Sequence, residues 1–233
     1  MFRKLLIAVI TLSTIKVNAA AHSTIERTEY QVLINDAITQ FEQTPREQWS
    51  YQVARYENEE GDITTSLEQF NANSKTWHLL KTNEKIPSEA QQKAFLQKKE
   101  KQKEGVNISI QLRELINQES LSFQNEDNDY LYLNFDVNLK KLGKKASNQL
   151  VGKLSYNKGS KYIELIEIAN TATFSPMFSA KITDFNIQLA FIKRDISILP
   201  KHNTMTMKGT FAFFTKIDER SKDTFSHYQQ LHP

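Results

Sequence analysis

The sequence predicts a mainly β protein with two helices. Its strands form a large antiparallel meander that either closes as a barrel or stays open as a concave sheet. Three observations predict this. Beyond Gly105 the apolar residues alternate with polar ones at a period of two, segment after segment. Only two stretches carry a helical signature. The 233 residues include just 6 glycines and 5 prolines, with no low-complexity linker and no internal repeat. One domain of this size is therefore the expected unit.

The N-terminus reads as a cleavable secretory signal. Arg3 and Lys4 precede an apolar run from Leu5 to Ile15, and Val17-Asn18-Ala19 places small residues at the cleavage positions. Residues 1–19 are then the signal peptide, residues 20–233 are the mature domain, and Ala20 begins it. The run is shorter than the roughly 20 apolar residues needed to span a bilayer. Removing Arg3, Lys4 and Lys16 leaves 27 basic against 27 acidic residues, a net charge of zero. Global basicity therefore gives no argument for nucleic acid. There is no cysteine, so disulfides, thiolate metal sites and lipid-modified cysteine are excluded. Cysteine-free export suits the periplasm of a Gram-negative bacterium, with no transmembrane segment after cleavage.

The first mature element is a helix, with Tyr30, Leu33, Ile34, Ala37, Ile38 and Phe41 on one face and Pro45 beyond its end. Strands follow at Trp49-Tyr51-Val53, at Ile63–Phe70 and at Trp77–Leu80. Between the first two lies the polar turn Glu57–Asp62. The second helix opens on a capping box formed by Ser88 and Gln91. Its apolar stripe is Ala90, Ala94 and Phe95. From Gln97 to Glu104 it is polar on all sides, which predicts an end in solvent, and Gly105 stops it.

The remaining strands are Val106–Leu112, Leu131–Val137, Leu150–Tyr156, Tyr162–Ile168, Thr183–Phe191, Ile196–Leu199 and Met205–Lys216. About ten strands at ~4.8 Å spacing make a sheet roughly 48 Å wide. Two helices, each about 10 Å across, cover less than half of its apolar face. The rest of that face curls on itself or forms an open concavity for a small apolar ligand. Alternation puts Leu133 and Phe135 on one strand face and Phe185, Ile187, Leu189 and Phe191 on another; these six are the candidate ligand-binding residues.

A signal peptide, an amphipathic helix, meandering strands, an inserted helix and a late strand with Gly209-Thr210-Phe211 together resemble the periplasmic LolA/LolB-like superfamily. That superfamily includes lipoprotein carriers and RseB-type sensors. Trp77-His78-Leu79-Leu80, Ile86-Pro87-Ser88, Lys208-Gly209 and Lys216-Ile217-Asp218 look like segments of gammaproteobacterial envelope proteins of this type. The resemblance implies an unclosed (half) β-barrel covered by helices, with a hydrophobic cavity. It carries no functional residue across.

No G-x-S-x-G elbow, Gly-rich phosphate loop or H-x-x-x-H pair is present, and no catalytic residue, metal site or cofactor is assigned. His78 reads as a sheet-surface residue; His227 and His232 lie near a frayed terminus. The acids Glu57, Glu59, Glu60 and Asp62, and the series Asn125, Asp127 and Asp129, read as solvated turns. From Lys140 to Lys161 there are seven lysines and no acid. Lys140, Lys141, Lys144 and Lys145 are the candidate contacts to an anionic surface. The expected function is a soluble, non-enzymatic periplasmic protein that binds a lipid or lipoprotein acyl chain. The alternative is an interaction module that binds another envelope protein.

Overall fold

The computed structural model describes residues 17–104, 111–139, 146–177, 179–212 and 214–231. The chain is mainly β, with a large antiparallel sheet of eleven strands that does not close into a barrel. The strands are β1 (Trp49–Glu59), β2 (Asp62–Asn71), β3 (Thr76–Thr82), β4 (Ser122–Glu126), β5 (Tyr130–Asp136), β6 (Leu150–Asn157), β7 (Tyr162–Asn170), β8 (Phe174–Met177), β9 (Ala180–Arg194), β10 (Ser197–Phe211) and β11 (Thr215–Gln230). Their order is 3-2-1-11-10-9-7-6-5-4, with β8 beside β9. Two meanders are thus joined where the first strand pairs with the last. The outer strands β3 and β4 are the free edges.

Helix α1 (Val17–Gln43) lays Ile34, Ala37 and Ile38 into the core, with Tyr30 and Phe41 packed at its margin. Leu33, expected on that face, is exposed. It stands roughly a quarter turn from the line through Ile34, Ile38 and Phe41. The helix ends at Thr44, whose hydroxyl donates to the Gln40 carbonyl and accepts from the Ile198 N–H at 3.0 Å. That pins the end of α1 to β10.

Helix α2 (Glu89–Glu104) starts as expected. Gln91 N–H donates to the Ser88 hydroxyl at 3.3 Å, and Ser88 N–H donates back to the Gln91 side chain at 2.9 Å. Its inward face differs from the expected one. Ala90 and Ala94 are exposed, and the covered positions are Gln92, Phe95 and Lys99, at i, i+3 and i+7. Polar residues therefore dock this helix, and Lys99, in the segment expected to lie wholly in solvent, turns inward.

Further departures concern the strands. Leu112 opens the short helix α3 (Leu112–Leu115) rather than ending a strand, while residues 106–110 lie outside the described residues. The expected break after Leu199 is a bulge at Pro200, and β10 continues to Phe211. A proline lacks an N–H for the ladder, so a bulge accommodates it. The chain turns at Ala212, inside the expected Met205–Lys216 strand, and β11 runs on to Gln230. His227 therefore sits in a strand, at a left-handed bulge position, and not in a frayed end. His232 is outside the described residues.

Candidate functional site

Residues opposite one another on paired strands share a face, so the register lays out the inner face row by row. One row runs Ser66, Arg55, Asp223, Asn203, Leu189, Ile166, Leu154, Leu133 across eight strands. The next runs Thr64, Glu57, Ser221, Met205, Ile187, Ile168, Gly152, Phe135. A third contains Asp62, Glu59, Glu219, Met207 and Phe185. In these three rows the face is apolar from β9 to β5 and polar and charged from β11 to β2. The boundary falls on β10, at Asn203, Met205 and Met207.

The apolar half is filled. Leu133, Phe135, Phe185, Leu189 and Phe191 are buried there with Ile34 and Ile38 of α1. Phe41 meets Phe191 edge-on at 5.0 Å between ring centres. The Phe135 ring lies over Gly152, where an added Cβ would come within 2.2 Å of it. Ile187, the remaining member of the six, is half-buried at the margin of this core. Met207 and Ile217 share that margin, and Met205 stands opposite Ile187. Together they form a half-buried apolar strip along β9, β10 and β11 at the edge of the filled core.

The polar half is held by a network that spacing alone did not single out. Glu68, 5% exposed, accepts from Arg55 Nε at 2.8 Å and from Lys99 Nζ at 2.8 Å, with Ser66 Oγ at 3.3 Å. Arg55 also bonds Asp223. Burial opposes the ionisation of Glu68, but Arg55 and Lys99 outweigh it and hold the carboxyl below its usual range. Burial raises the pKa of Asp223, and its pairing with Arg55 offsets only part of that rise. The Lys99 ammonium, lowered in pKa by burial, sits 4.0 Å from the Trp77 ring centre and 5.2 Å from that of Phe95. Among the described residues no buried side-chain nitrogen or oxygen lacks a partner.

Below this network Tyr51 gathers Phe70, Trp77, Phe225 and Tyr228 at centroid distances of 5.3–6.0 Å within the cluster. Burial pushes the Tyr51 hydroxyl up to about 12. One sequence signal could have pointed to the network. Period two puts Glu68 on the same face as Phe70, so a carboxylate there needs a buried cation.

The other candidates fall as follows. His78 is exposed beside Thr76. Asp127 closes its turn by accepting from the backbone N–H groups of Asp129 and Tyr130, which lower its pKa. Lys140, Lys141, Lys144 and Lys145 lie outside the described residues. A polar cleft of about 990 Å³ lies beside α3, lined by Arg113, Asn117, Asp136 and Ser147 among others. Its guanidinium is committed to Glu42, Asn35 and Thr39 on α1.

No family model and no curated protein matches the chain. Among solved structures it is similar to a DUF1329 family protein from Desulfovibrio piger, over 89% of this chain and 93% of that one, at 9% sequence identity and a TM-score of 0.36.

Proposed function

We propose that the protein is an exported, non-catalytic binder of a lipid or acylated chain, held along the inner-face strip on β9, β10 and β11. The observation that supports this is the continuation of apolar surface past the filled core. Ile187, Met205, Met207 and Ile217 remain half-buried on the inner face of the central strands β9, β10 and β11. Methionine adapts to irregular apolar partners. Each methylene of an alkyl chain removed from water there contributes about 0.8 kcal/mol. The charged half offers a polar end to the same surface, where Asn203 and Ser221 adjoin Arg55 and Asp223.

The test is titration with a fluorescent fatty acid. Wild-type protein is expected to take it up, and Met205→Glu with Met207→Glu to weaken uptake about tenfold or more by placing charge against the chain. Ile63→Glu, at an exposed position opposite Asn58, is expected to leave uptake unchanged. No uptake by the wild type, or equal uptake by the methionine variants, removes the strip as the site.

A second reading, binding of another envelope protein, draws support from a groove of about 780 Å³ between edge strand β3 and α2. Leu79, Leu80, Ile86 and Leu96 line it, and Ile86 stands almost fully in solvent. A stable complex that forms without lipid favours this reading over the first.

A further inference from the structure

Strands β9, β10 and β11 outrun their neighbours. The last pairing of β7 with β9 is Ala169 with Asn186, and β9 begins at Ala180. The last pairing of β1 with β11 is Glu59 with Glu219, and β11 begins at Thr215. The three strands therefore run about four to six residues, roughly 13–20 Å, past β7 and β1 as a finger edged by the short β8, with Phe174 and Ile182 buried on its inner side. Its two turns lie side by side, tied by the Ala212 N–H donating to the Ser179 carbonyl at 2.7 Å.

Among the described residues the tip exposes apolar side chains: Phe214 is 93% exposed, Met177 57% and Phe211 44%. The first charged row behind it is basic, with Lys181 and Lys216 on either side of Thr210. Lys216 also holds Asp218 at 2.9 Å.

We propose that this finger docks into a lipid bilayer, with Met177, Phe211 and Phe214 entering the interfacial region and Lys181 and Lys216 at the level of the phosphates. A convex apolar tip with long basic side chains one row behind it matches that boundary. Rings bury below the headgroups while lysine stems reach back to anionic oxygens. The face that carries Met205 and Met207 continues along β10 to Phe211, so the tip also adjoins the apolar strip. Docking through the tip does not depend on what the strip binds.

The experiment is flotation with phosphatidylethanolamine vesicles containing about a third phosphatidylglycerol, at low salt, alongside neutral phosphatidylcholine vesicles. The wild type is expected to float with the anionic vesicles. Met177→Ser, Phe211→Ser and Phe214→Ser combined should weaken this about tenfold or more, with an unchanged urea midpoint because the three side chains are exposed. Lys181→Gln with Lys216→Gln should weaken binding to the anionic vesicles more than to the neutral ones. The tryptophan of Phe214→Trp, a milder change, should shift its emission to the blue on adding vesicles. Uptake of the fatty acid from solution should be the same in the serine variant and the wild type, which separates this surface from the strip. A wild type that floats with neither vesicle, or a serine variant that floats equally well, overturns the proposal. So does a tip that instead supports only concentration-dependent self-association.

Discussion

Phe135→Ala is expected to destabilise the protein by about 3–5 kcal/mol, the range for removing a large aromatic side chain from a filled core. Phe135 is 2% exposed, and its ring sits against Gly152 on β6. Leu133, two positions earlier on the same strand face, packs in the same core with Ile34 and Ile38 of α1. Truncation leaves a hole that α1 cannot close, because Thr44 fixes the end of that helix to β10. Urea unfolding measures the loss. Leu133→Glu is expected to yield no folded protein, since the core supplies no partner for a buried carboxylate. A loss under about 1 kcal/mol for Phe135→Ala would mean that the space beneath α1 is open or exchangeable. The proposed ligand strip would then extend under the helix.

Glu68→Ala is expected to cost about 3 kcal/mol or more, at the lower end of the range for breaking a buried ion pair. The change strands one cation and takes one of two carboxylates from another. Lys99, with 12% of its side chain exposed, loses its carboxylate, whereas Arg55 keeps Asp223. Lys99→Met is expected to cost less, because the thioether retains packing on Trp77 and Phe95. The double variant should lose less than the sum of the two single losses, since each removes the same contact. Additive losses would show that the pair is not coupled.

The pH dependence has a definite sign. Glu68 holds a lowered pKa in the folded state. The stability this confers is present above the unfolded carboxyl range and is lost as pH falls through the folded value. Asp223, with a raised pKa, contributes in the opposite sense, favouring the folded state at low pH and losing that favour as pH rises. Removing Glu68 should therefore flatten the acid limb of the stability curve.

Parts of this architecture are legible in the sequence where one physical demand dominates. Leu131, Leu133, Phe135 and Val137 alternate because one side of β5 meets only core. The Ser88–Gln91 box is local, so both of its hydrogen bonds could be read from spacing. Counting strands against helices leaves two outcomes, a sheet curled on itself or an open one, and the open one is found.

What was not legible depends on distant partners. Strand β11 reads as polar because its inner positions include Glu219, Ser221 and Asp223, and Asp223 meets Arg55 across 168 residues of sequence. The inward face of α2 was misread because Gln92 and Lys99 dock by hydrogen bond and charge rather than by apolar area. The six candidate ligand residues were chosen by alternation. Alternation identifies the inner face but not which part of it α1 covers, so five of them lie in the filled core and Ile187 alone reaches the strip. The exposed finger tip carries no periodic signal, because a turn obeys neither repeat.

Native mass spectrometry of the purified protein, with lipid extraction of the same sample, tests the central claim most directly. The account predicts a bound species heavier by the mass of a lipid or acyl chain. That species should be recovered in the extract, and lost from protein carrying Met205→Glu and Met207→Glu. Purely ligand-free protein, giving an extract without lipid and showing no uptake of added fatty acid, would contradict it.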